Sequence, residues 1–132
     1  MQGLALAIGF LTALPMRMAA PRPGDLGRAG VWFPLVGLGL GVLLSLAYWL
    51  LAHVFALVLV AALVVALWAA FTGGLHLDGL ADSGDGLLSV ASVERRLESM
   101  RDPRLGAFGV SVLALFIIIK ILAVAGLSAG RL

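Results

Sequence analysis

The stretch VWFPLVGLGLGVLLSLAYWLLAHVFALVLVAALVVALWAAF, Val31 to Phe71, runs for 41 residues without an Asp, Glu, Lys or Arg. A hydrocarbon core about 30 Å thick is crossed by about 20 apolar residues in a helix. At ~1.5 Å per residue this stretch would reach ~60 Å as one helix. That is twice what a bilayer needs, so the run should fold back into two spans. His53 is its most polar side chain and marks the reversal. The spans are placed at Val31–Leu51 and Val54–Phe71. A third apolar run, Ala107–Leu127, is long enough to cross as well, although Lys120 interrupts it. Lipid offers no hydrogen bonds to an unpaired backbone amide, so each span must satisfy its own. A barrel would need strands alternating with a period of two. Here Leu, Val and Ala cover every face, and helices are the expectation.

The rest of the composition agrees. Of 132 residues, 62% are hydrophobic and 12% are charged, against about 25% charged in a soluble domain. The mean hydropathy is +1.13. These values exclude a water-soluble globule, a disordered tail and a basic nucleic-acid-binding domain. The partner they imply is the lipid bilayer, and no nucleic acid. Nine basic residues against seven acidic ones do not make a polybasic surface. With no cysteine, disulfides, thiolate metal sites and cysteine nucleophiles are excluded. The fold class is all-α: a polytopic helical membrane protein with about three transmembrane helices. Before them, MQGLALAIGFLTALP is too short to span comfortably and reads as a membrane-entering helix stopped near Pro15. The segment Ala20–Gly24, APRPG, breaks any helix. Gly37 and Gly41 share a helical face and either offer a close helix approach or are simply tolerated in lipid. The chain reads as one helical membrane domain, 1–132, with an interspan loop at 72–106. That loop and the 16–30 segment hold seven of the nine basic residues. The positive-inside rule therefore puts both in the cytoplasm, in a multi-pass membrane protein.

Chemistry is expected in the loop. TGGLHLDGLADSGDGL, Thr72 to Leu87, holds Asp78, Asp82 and Asp85 with no basic residue among them. On a helix the three would share a face within an arc of roughly 60°. Glycines at 79, 84 and 86 argue for partial unwinding instead. Carboxylates this close are stable if a cation neutralises them or if water solvates each. All-oxygen ligands suit Mg²⁺ or Ca²⁺. An EF-hand is excluded, because from Asp82 its third, fifth and twelfth positions would be Gly84, Gly86 and Val93. Mg²⁺ held by carboxylates commonly also takes phosphate oxygens. Asp beside Gly is equally ordinary turn chemistry. His76 beside the cluster is either a ligand-binding group or a structural histidine.

Downstream, SVERRLESMRDPRLGAFG, Ser92 to Gly109, begins as a short amphipathic helix with Val93, Leu97 and Met100 inward. Proline ends it, leaving Arg101 and Arg104 around Asp102. Such guanidinium groups either clamp phosphates through paired bonds or anchor the span in lipid headgroups. Lys120, inside the third span, must snorkel, pair with an acid or line a site.

FLTALP (Phe10–Pro15), WFPLVG (Trp32–Gly37), GGLHLDGLADSGDGL (Gly73–Leu87) and MRDPRLGAFG (Met100–Gly109) occur in that order. Together they resemble the adenosylcobinamide-GDP ribazoletransferase, or cobalamin synthase, family. Its members are longer, and the chain corresponds to their N-terminal half. The resemblance implies a Mg²⁺-dependent membrane transferase. Such an enzyme joins adenosylcobinamide-GDP to α-ribazole or its 5′-phosphate and releases GMP. It implies Asp78, Asp82 and Asp85 as metal ligands, with Asp85 or His76 in proton transfer. Gly73, Gly74, Arg101, Asp102 and Arg104 would contact substrate. A second copy or the C-terminal half would complete the enclosure. Asp78-Gly79 and Ala81 also resemble the opening of the CDP-alcohol phosphotransferase motif, but Asp82 stands where that motif has Arg. A reading from another class is a transporter or channel fragment with Asp78, Asp82 and Lys120 along an ion path.

Overall fold

The computed structural model describes residues 2–16, 22, 24–88, 92–99 and 104–129. Seven α-helices follow one another, with no strand among the described residues: α1 Gln2–Leu11, α2 Asp25–Ala29, α3 Phe33–Leu51, α4 Leu57–Phe71, α5 Leu75–Leu88, α6 Val93–Ser99 and α7 Ala107–Ala129. A single 3₁₀ turn, Gly30–Trp32, joins α2 to α3. The chain forms two compact units, Met1–Gly73 and Gly74–Leu132.

In the first unit, Asp25–Leu51 is helical over 27 residues and apolar enough to cross a membrane. The reversal falls at the expected place. Val54 and Phe55 N–H both donate to the Leu51 carbonyl. The His53 Nδ1–H donates to the Trp49 carbonyl at 2.7 Å and so caps the end of α3. Because this turn uses residues 52–55, α4 begins at Leu57 and not at Val54. At 15 residues it is shorter than the expected span, and it counts as a third crossing only together with the helix that follows. It buries Val60, Ala61, Val64 and Val65, one stripe at helical spacing, and packs with α3.

The N-terminal helix exists but stops at Leu11, ahead of Pro15. The Thr12 hydroxyl donates back to the Ile8 carbonyl at 2.7 Å and takes part in closing the last turn. Beyond it the Ala13 N–H donates to the Phe71 carbonyl at 2.8 Å, tying this segment to the end of α4. Phe10 stacks on Phe33 with ring centroids 5.7 Å apart, and Gly3 leaves room for Trp32. The break expected at Ala20–Gly24 lies mostly outside the described residues. Gly24 itself has φ 90, and the Asp25 carboxylate accepts the Arg22 N–H at 2.9 Å. Of the two readings of Gly37 and Gly41, close approach finds no partner among the described residues, where a Cβ at either would meet nothing within 4 Å.

In the second unit, α7 carries a membrane-crossing run, Ala107–Leu127, of 21 residues. Lys120 extends along it, with Nζ 5.4 Å from the centroid of Phe116 one turn earlier. The ring face offsets some of the cost of a charge at that depth. The segment 72–106 is largely helical. In α5 the glycines at 79, 84 and 86 do not unwind the chain, and the helix is continuous to Leu88. Its neighbour α6 does not turn Val93 and Leu97 inward as expected, for they are 65% and 53% exposed, and Met100 lies outside the described residues.

At the start of α6, the Glu94 carboxyl is held below the ordinary glutamate value. Its own backbone N–H is the larger cause, and the Ser92 hydroxyl is the second. A lowered folded value gives stabilisation that is present above the unfolded pKa and lost as pH falls through the folded one. Ser92→Ala should move the Glu94 midpoint back up toward the ordinary value, read by NMR titration of the carboxyl carbon.

Candidate functional site

The acidic helix α5 begins after two glycines in the left-handed region, Gly73 at φ 60 and Gly74 at φ 73. Side-chain-bearing residues avoid that conformation, so the Gly-Gly pair has a backbone reason. It ends α4 and lets α5 start, with the Asp78 N–H donating to the Gly74 carbonyl at 2.9 Å.

On α5 the three aspartates share a face, as their spacing requires. Their surroundings differ. Asp78 is exposed, Asp82 is half-buried and Asp85 is 7% exposed. From Asp78 to Asp85 the helix also rises about 10 Å, too far for one ion to bridge both ends. Both oxygens of Asp85 are already engaged. The Gly106 N–H donates to Oδ2 at 2.8 Å, and the Gly109 N–H donates to Oδ1 at 2.8 Å. The first N–H groups of a helix have no partner within it, and a carboxylate there also meets the positive end of the helix dipole. Asp85 thus caps α7 from another helix, 21 and 24 residues away in sequence.

This contact gives Gly84, Gly106 and Gly109 a packing reason. A Cβ at Gly106 would strike Asp85 Oδ1. One at Gly109 would strike Asp85 Oδ2 and come 2.9 Å from the Ala81 carbonyl oxygen. A Cβ at Gly84 would sit 3.1 Å from Val112 Cγ2 and 3.3 Å from Gly109 Cα. Fully buried Ala81 completes the contact. Small residues here bring two backbones close enough for one short side chain to reach across. The visible signal was Gly106 and Gly109 three apart at the start of the third apolar run.

Among the described residues, no three His, Asp or Glu side chains form a group able to hold a metal ion. The expected three-aspartate ligand set is therefore not assembled, because Asp85 turns to the α7 backbone. Asp78 and Asp82 remain, one helical turn apart. Mg²⁺ is commonly held by one or two carboxylates, with phosphate oxygens and water filling the shell. This pair fits that pattern. His76 is exposed; by position it lies about 160° around α5 from Asp78, so it does not share the acidic face. Arg104 is exposed two residues before Gly106. Arg101 and Asp102 lie outside the described residues.

Asp85→Ala should destabilise the protein by about 2–5 kcal/mol, since it leaves two amides without their acceptor in a buried contact. Gly109→Ala should cost about 1–3 kcal/mol by overpacking. Asp78→Ala should stay within about 0.5 kcal/mol. Unfolding in detergent, followed by circular dichroism, measures all three.

A family model described as cobalamin-5-phosphate synthase matches residues 3–131. An adenosylcobinamide-GDP ribazoletransferase of Stutzerimonas stutzeri is 50% identical over 119 residues, which is 89% of this chain and 48% of that protein. One of Thermosynechococcus vestitus is 46% identical over 126 residues, 94% of this chain and 50% of the relative. A third, of Ectopseudomonas mendocina, is 44% identical over 124 residues, 92% of this chain and 51% of the relative. No solved structure matches the chain. The chain spans about half the length of these curated relatives. A match across nearly all of its residues, from the N-terminal helix through the Asp85 contact to the end of α7, shows that the chain belongs to the cobalamin-5-phosphate synthase family.

Proposed function

We propose that the chain forms the N-terminal, acid-bearing half of a transferase in cobalamin assembly. That enzyme joins adenosylcobinamide-GDP to α-ribazole or α-ribazole 5′-phosphate and yields adenosylcobalamin or its 5′-phosphate and GMP. The observation that carries this reading is the identity of 44–50% with relatives named adenosylcobinamide-GDP ribazoletransferase, across about nine-tenths of the chain.

In this reaction a ribose hydroxyl oxygen forms a bond to the cobinamide-side phosphorus of the pyrophosphate. The bond from that phosphorus to the bridging oxygen breaks, and GMP carries the electron pair away. Catalysis of this kind depends on positioning and on neutralising charge at the phosphoryl oxygens. Asp78 and Asp82 would hold the divalent cation together with the pyrophosphate. Bound Mg²⁺ supplies charge neutralisation there. Arg104, beside Gly106 in the chain, would pair with phosphate oxygens through its fork. Arg101 and Asp102 belong to the same basic segment. The proton lost by the hydroxyl goes to a carboxylate of the acidic face. Gly73 and Gly74 admit backbone close to the nucleotide as well as making their turn. The concentration of seven of the nine Lys and Arg residues in the 16–30 and 72–106 segments favours a cytoplasmic site on the inner membrane. The relatives' second half, or a second copy of this chain, would complete the enclosure for so large a substrate.

The test is GMP release from adenosylcobinamide-GDP by this chain in liposomes, alone and co-reconstituted with the C-terminal half of the Stutzerimonas stutzeri relative. Release is expected from the combination, lost with EDTA, and lowered about 10²-fold or more by Asp78→Asn or Asp82→Asn. Release that survives EDTA and both substitutions, or none at all from the combination, overturns the proposal.

A further inference from the structure

Asp85 stands apart from its two neighbours. It has the same spacing and side chain, yet it is buried, and each of its oxygens accepts one N–H from the start of α7. Moving it onto a metal ion would leave the Gly106 and Gly109 amides without acceptors inside a contact that has no slack. Gly109 Cα, the Ala81 carbonyl and Val112 leave no room for added atoms there. Such orphaned amides are costly.

Two segments meet at this side chain. Asp85 follows Asp82 by three residues on α5, and Gly106 follows Arg104 by two. The hydrogen bond to the Gly106 amide therefore fixes the backbone that carries Arg104 against the helix that carries Asp78 and Asp82. We propose that Asp85 is a positioning residue, neither metal ligand nor general base, and that it acts by holding the Arg104 segment beside the acidic face of α5 through the Gly106 and Gly109 amides. For the substrate that this arrangement serves, a nucleoside diphosphate ester, the inference rests on the function proposed above.

The first measurement needs no activity. Amide hydrogen exchange is followed at Gly106 and Gly109 in the wild-type chain in nanodiscs, with and without MgCl₂. Exchange at both is expected to be slow and to change less than two-fold with Mg²⁺. Acceleration of ten-fold or more on adding Mg²⁺ would mean that the carboxylate leaves the amides for the ion, and would overturn the proposal. Fast exchange at both without Mg²⁺ would overturn it too.

The second measurement uses the reconstituted two-half enzyme. Asp85→Asn keeps one acceptor and should raise the KM for adenosylcobinamide-GDP about five- to ten-fold, with the Mg²⁺ concentration for half-activity unchanged. Arg104→Ala should raise the same KM, and the double variant should be no worse than Arg104→Ala alone. A purely structural role would lower the active fraction and leave KM where it was. Multiplying KM effects, or a raised Mg²⁺ requirement in Asp85→Asn, would refute the positioning role. If the two-half enzyme releases no GMP at all, the proposed function fails, while the exchange rates still decide the role of Asp85.

Discussion

A carboxylate buried at a helix-helix contact has to be met by donors from the protein, because little water reaches it. Asp85 meets this demand with the backbone amides of Gly106 and Gly109. Those amides are themselves groups that a helix start leaves unpaired. Two deficits cancel in one contact. The second unit is organised around it: α5 and α7 close on Ala81 and Gly84 on one side and on Gly106, Gly109 and Val112 on the other.

The lipid setting explains why small residues carry that contact. Apolar surface gains little by leaving hydrocarbon for a protein interior, so helices in a bilayer associate through close packing and hydrogen bonds. Along α7 the large side chains Ile119, Leu122 and Leu127 stay well exposed, as do Leu38 and Trp49 along α3. Hydrophobic burial is not what holds α5 to α7. A close approach of backbones is, and it requires glycine. The same residue type at Gly37, Gly39 and Gly41 meets nothing within reach among the described residues, so glycine in a span signals close packing only where something is packed.

The acidic helix separates its carboxylates by environment. Asp85 is committed to the backbone, while Asp78 and Asp82 lie toward the more accessible end of the same face. Phosphoryl chemistry needs negative groups free to bind a cation, held on something rigid. One aspartate supplies rigidity here, and in the function proposed above the other two would hold the cation. The left-handed glycines at 73 and 74 set where that helix begins.

How much of this was legible from the sequence can be judged residue by residue. The uncharged run from Val31 to Phe71 forces helices and a reversal near His53, because lipid cannot pair a backbone amide and 41 residues are too long for one crossing. The shared face of Asp78, Asp82 and Asp85 follows from helical spacing alone. Spacing says nothing about what faces that side, however. The three acids look equivalent until α7 is seen to bring two amides against one of them. The expectation that the glycines unwind α5 failed for a related reason. Local propensity favours unwinding, but the packing that Gly84 permits against α7 offsets its entropic cost. Periodicity and composition settle which segments become helices in a membrane. Which carboxylate becomes structural is decided by a contact between residues more than twenty positions apart, and only tertiary structure can decide that.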